Sequence, residues 1–176
     1  NAAMSFIFIA GSDDFLVKTR AREEWATLSE SIGDPHSLEI IDGHAGTVDE
    51  AGKAVARFAG ALQTVSMFAP EKAIWFRDIS FLGDNPTGRA KGTLEHVERL
   101  MEVLDGFSEP AVRVLLSAAP VDRRKKAYKW FQKNGKSTYI EAGKDDRALT
   151  ELVVAEAARG GKRFDARAAA ILLDLT

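Results

Sequence analysis

Five short runs rich in β-branched and aromatic residues, at 5–10, 37–42, 72–78, 112–118 and 137–142, alternate along this chain with four stretches of helical periodicity, at 14–31, 48–60, 92–105 and 122–134. In the second of these stretches Val48, Ala51, Val55, Phe58 and Ala59 recur at three- and four-residue spacing, which places them on one helix face. Strand and helix in strict alternation point to a parallel sheet wrapped by helices. The centre of the fourth run, Val114-Leu115-Leu116, is apolar without alternation, a pattern that suits a strand covered on both faces. The expected fold is therefore α/β, with a mostly parallel five-stranded sheet.

After Ala142-Gly143 the strand runs cease. Asp145 or Asp146 can cap a helix through Leu149, Leu152, Val153 and Ala157, and Asp165 can cap another through Ala169, Leu172 and Leu173. Residues 4–142 thus read as one α/β domain and 143–176 as the beginning of a helical one, with Asn1-Ala2-Ala3 ahead of Met4 read as a tag remnant. The connector at 83–92, with one proline and three glycines, is expected to be a flexible surface loop.

Composition narrows the functional classes. Net charge is −2 across 176 residues, so no global basic field favours nucleic acid. The chain lacks cysteine, which removes thiolate metal sites and cysteine nucleophiles and fits a cytoplasmic location. No apolar run approaches the roughly 18 residues of a membrane span, and no membrane partner is expected. His36, His44 and His96 share no metal-ligand spacing and are expected to be exposed; Asp42-Gly43-His44 reads as a tight turn. No metal or cofactor is expected.

The segment Ala10-Gly11-Ser12-Asp13-Asp14-Phe15-Leu16-Val17-Lys18-Thr19 stands where a phosphate-binding loop would, between a strand and a helix. Such a loop needs glycines at fixed offsets before Lys-Ser/Thr, so that backbone amides can wrap the phosphates. Counting back from Lys18-Thr19, Val17 and Ser12 occupy the glycine positions, and anchoring on Gly11 puts Leu16 at the second. Neither register works. Asp13 and Asp14 add negative charge where a triphosphate would sit, and are better placed to cap their own helix. The third strand run ends in Asp78, but Ile79 follows where an ATPase carries its catalytic Glu, so Asp78 reads as a surface or loop-capping acid.

The basic run Arg123-Arg124-Lys125-Lys126 opens a helical stretch with Tyr128, Trp130, Phe131 and Lys133. It can be a solvated face over a buried apolar stripe or a grip on DNA phosphates; the chain's overall charge favours the first.

Three short motifs in order resemble the delta subunit of the bacterial DNA polymerase III clamp loader. They are Phe8-Ile9-Ala10-Gly11-Ser12-Asp13-Asp14-Phe15-Leu16, Leu62-Gln63-Thr64-Val65-Ser66-Met67-Phe68, and Asp122-Arg123-Arg124-Lys125-Lys126-Ala127-Tyr128. The resemblance implies an AAA+/RecA-like domain without ATPase motifs, then a helical lid, incomplete here, with the family's third, collar domain missing. It implies a non-catalytic subunit of a complex that is a DNA-directed DNA polymerase, a nucleotidyltransferase. Its partners would be the sliding clamp (the beta subunit), which it binds and helps open, the other loader subunits and primed DNA. Met67 and Phe68, with Ser66 and Leu62 beside them, are the implied clamp contacts, Met67 standing where the family more often has Leu. Arg123, Arg124, Lys125 and Lys126 are the DNA-facing candidates. Two other classes compete with it: a nucleotide-binding NTPase with an unusual loop, and a DNA-binding module using 123–133.

Overall fold

The computed structural model describes residues 6–64 and 70–142, and helical backbone at Val154, Ala155 and Ala158. Strand β1 (Ile7–Gly11) leads into helix α1 (Asp14–Ile32), then β2 (Leu38–Asp42), α2 (Val48–Gln63), β3 (Lys72–Ile79), the short α3 (Pro86–Arg89), α4 (Lys91–Asp105), β4 (Val112–Ala118), α5 (Lys126–Asn134) and β5 (Lys136–Ile140). The strands form one sheet in the order β2-β3-β4-β1-β5. All neighbours run parallel, with Ile7 opposite Leu115 and Lys136, and Trp75 opposite Ile40 and Leu115.

Strand alternation divides the core between the two faces. Phe8, Ala10, Ile74, Phe76, Val114 and Leu116 pack with Phe58 and Leu62 of α2, Val97 and Leu100 of α4, and Phe131 of α5. Ile9, Trp75 and Leu115 pack instead with Val17, Ala21 and Leu28 of α1. β4 is thus apolar at successive positions because α1 lies over one face and three helices over the other. Each large side chain removed from water here contributes roughly 1.5–3 kcal/mol.

Several expectations are corrected. The connector at 83–92 holds α3 rather than running as an open loop: Asn85 caps it by accepting from the Gly88 N–H at 2.8 Å, and its own amide reaches the Ser80 carbonyl at 3.0 Å. α5 begins at Lys126, not at 122, because the Asp122 carboxylate accepts from the Arg124 N–H at 3.0 Å and turns the chain first. His96 is half-buried rather than exposed; it lies against Gly52 of α2, where a Cβ would meet its Nε2 at 2.6 Å. His36 and His44 are exposed as expected, and the His44 N–H donates to Asp42 Oδ1 in the anticipated turn. The expected helices at 143–176 lie almost wholly outside the described residues.

Candidate functional site

Parallel strands gather their functional groups at their carboxyl ends, and here that edge brings together Gly11–Lys18, Asp78 and Ser117. The loop after β1 is closed on itself. Asp13 caps α1 by accepting from the Leu16 N–H at 3.1 Å, its carbonyl takes the Val17 N–H at 3.1 Å, and the Ser12 N–H donates to the Ile140 carbonyl at 3.2 Å. The Ser12, Leu16 and Val17 amides are therefore committed within the protein. Val17 is buried, and its Cγ2 would stand 2.8 Å from a Cβ on Gly11, so glycine here serves the approach of Val17 and β5 rather than of a ligand. Lys18 Nζ lies 2.8 Å from Asp14 Oδ2, and this hydrogen bond raises its pKa.

Asp78 is half-buried rather than on the surface. It is the one non-glycine residue at positive φ, +56°, among the described residues. It sits at the irregularity where β3 slips its register against β4 between Phe76 and Ile79. Its N–H donates to Ser117 Oγ at 3.2 Å, and the same oxygen accepts from Trp75 Nε1 at 2.9 Å. Burial raises the Asp78 pKa, opposed by the charges of Lys18 and Arg77. Ile79 points into the core, fully buried.

The basic run is spent on local partners. Arg123 Nη2 meets Glu141 Oε1 at 2.9 Å while its guanidinium stacks 4.2 Å from the Tyr139 ring centre. Arg124 forms a fork on Asp122, both bonds 3.0 Å, and these hold the Asp122 carboxyl down to about 2. Lys125 Nζ donates to the Gly83 and Gly88 carbonyls at 3.0 and 2.7 Å, and burial lowers its pKa. Lys126 faces Glu98 at 3.4 Å. Ala127 and Phe131 are buried beneath them and Trp130 is half-buried, so the run is the rim of a packed helix with its charge largely balanced by acids.

Among the clamp-contact candidates, Ser66, Met67 and Phe68 lie outside the described residues. Leu62 does not serve as a contact side chain: it is 1% exposed and packs in the core from the last turn of α2. Beyond the candidates, Lys72 joins the ends of this segment. Its Nζ donates to the Ala61 and Thr64 carbonyls. Nothing in the sequence marks that lysine, since it opens a strand run as any edge residue might.

No family model and no curated relative matches this sequence. Among solved structures, the Bacillus subtilis DNA clamp loader delta protein, YqeN, aligns with 97% of this chain at a TM-score of 0.55 and 15% identity. The two share a fold. That fold is α/β, a parallel five-stranded sheet with helices on both faces, as the sequence pattern predicts. The chain spans about half, 48%, of the delta protein's length. A DNA polymerase III gamma-subunit-related protein from Thermotoga maritima aligns over 97% of this chain and 54% of its own, with 14% identity and a TM-score of 0.46. A chain of the Escherichia coli HORMA:CdnC:Trip13 complex aligns over 97% and 59%, with 15% identity and a TM-score of 0.47.

Proposed function

We propose that this chain is the N-terminal portion of a clamp-loader delta subunit, which binds the sliding clamp and helps open it without turning over ATP. The observation that carries the reading is the fold shared with the delta protein, joined to a strand-to-helix loop whose Ser12, Leu16 and Val17 amides are already bonded to Ile140 and Asp13. A subunit of this kind contributes binding energy rather than chemistry, and Met67 and Phe68 are its proposed anchors. Two adjacent large apolar side chains suit an interface, where a few anchors dominate the affinity. The other loader subunits and primed DNA are its partners in the assembled complex, and the segment 143–176 is the start of its lid. The catalytic identity of a DNA polymerase belongs to that assembly.

The test is a pull-down of the purified chain on an immobilised bacterial sliding clamp, with and without ATP and Mg²⁺. Capture that is equal in both conditions supports the reading. Capture that requires nucleotide, or its absence in both, overturns it.

A further inference from the structure

Phe81 and Leu82, which follow β3, Val97 and Met101 of α4 and Ala127 of α5 wall a cavity of about 240 Å³. All five side chains are nine-tenths or more buried, and Leu94, which also lines the space, is 45% exposed. An apolar cavity of roughly 150 Å³ takes up benzene, whereas sites for cofactors and drug-sized ligands run from about 300 Å³ upward. This one therefore fits a single large apolar side chain, with little room beyond it.

The charges around the opening decide what can flank that side chain. Lys125 and Lys126 line it, and Glu98 is the one acid among its lining residues. Lys125 Nζ is occupied by the Gly83 and Gly88 carbonyls. Lys126 Nζ meets Glu98 Oε1 at 3.4 Å with 81% and 59% of the two side chains exposed, an ion pair that solvent screens and an incoming carboxylate can replace. The first turn of α5 adds the positive end of a helix dipole there, for no side chain caps it and it holds no acid. The opening thus favours an anion beside an apolar group.

We propose that this cavity is a docking site for an acidic segment of a partner protein. The segment inserts one phenylalanine or leucine between α4 and α5 and sets a neighbouring aspartate or glutamate against Lys126 and the amino end of α5. The inserted side chain is the anchor, as a buried apolar group in a preformed pocket commonly is. The carboxylate fixes its orientation and selects against basic sequences.

The experiment titrates the purified chain into a fluorescein-labelled octapeptide of glycine and serine with one central phenylalanine between two aspartates. Anisotropy follows the binding, and amide chemical shifts of the isotope-labelled chain locate it. Saturable binding with a Kd below about 1 mM is expected, with the shifts centred on Val97, Met101 and Ala127. Replacing the peptide's phenylalanine with alanine, or its aspartates with lysines, should weaken binding at least tenfold. Lys126→Glu should weaken it at least fivefold and Glu98→Gln tighten it twofold or more; both positions are exposed, so the fold tolerates either change. No saturable binding in that range overturns the proposal, as do shifts centred elsewhere, an alanine peptide that binds as well as the parent peptide, or a Lys126→Glu chain that binds the acidic peptide as well as the parent chain. No clamp enters the titration, so its outcome is separate from that of the clamp pull-down.

Discussion

The Lys125 ammonium donates to the Gly88 carbonyl at 2.7 Å, joining the entry of α5 to the turn that precedes α4. A side chain placed among the DNA-facing candidates is thereby a structural crosslink. Replacing it with Met leaves the Gly83 and Gly88 carbonyls without this donor and should cost about 1–3 kcal/mol. Urea unfolding measures the loss, and the affinity of the chain for duplex DNA should be the same in parent and variant. A variant of parental stability with weakened DNA binding would restore Lys125 to the DNA face.

Restoring a glycine to the first loop should not create a nucleotide site. Val17→Gly removes a buried side chain and places glycine within α1, with an expected loss of about 2–4 kcal/mol. The Ser12 and Leu16 amides remain bonded to Ile140 and Asp13. Titration with a fluorescent ATP analogue and Mg²⁺ should show no saturable signal in either protein, nor any effect of Lys18→Ala.

Leu62 and the Met67-Phe68 pair should separate stability from binding. Leu62→Ala opens a cavity under α2 and should cost about 2–5 kcal/mol. Met67→Ala/Phe68→Ala should melt near the parental temperature yet bind the clamp a hundredfold or more weakly. Calorimetry beside clamp titration tests both. An early-melting double variant would return the pair to the core.

Asp78 gives the chain a pH signature of definite sign. Its pKa is raised above the ordinary 3.8, so the folded state binds its proton more readily than the unfolded state. The ionised carboxylate therefore costs stability at neutral pH, and that cost fades as pH falls through the raised pKa and then below 3.8. Asp78→Asn, which tolerates the left-handed backbone about as well, should raise the melting temperature at pH 7, and the gain should vanish near pH 3. Asp122 contributes in the opposite sense, since its carboxyl is depressed to about 2 and its stabilisation fades between about pH 4 and pH 2. Melting curves of Asp78→Asn and Asp122→Asn across this range separate the two; a loss of stability on Asp78→Asn at pH 7 would contradict the sign.

The sheet was legible in the sequence because β-branched runs and helical periodicity alternate without interruption, and β4 occupies 112–118 as read. Asp13 was legible as a cap because its position before an apolar helical run leaves little else for it to do. Two features were hidden. α3 lies in a segment whose proline and glycines read as an open loop, and its helical turn depends on Asn85 and on Lys125 reaching from 37 residues away at Gly88. The frame around Thr64 depends on Lys72 bonding backward along the chain and sideways to Glu39, pairings that no local spacing encodes.

The position of β1 has a consequence for synthesis. It is made well before either of its neighbours: Ile7 pairs with Leu115 of β4 and Lys136 of β5. At roughly 5–20 residues per second on the ribosome, Phe6-Ile7-Phe8-Ile9 waits on the order of ten seconds for its partners. During that interval a strongly apolar strand has no edge to join. The nascent chain is thus exposed to aggregation at β1 until β4 and β5 are made, and chaperone capture of that intermediate would fall there.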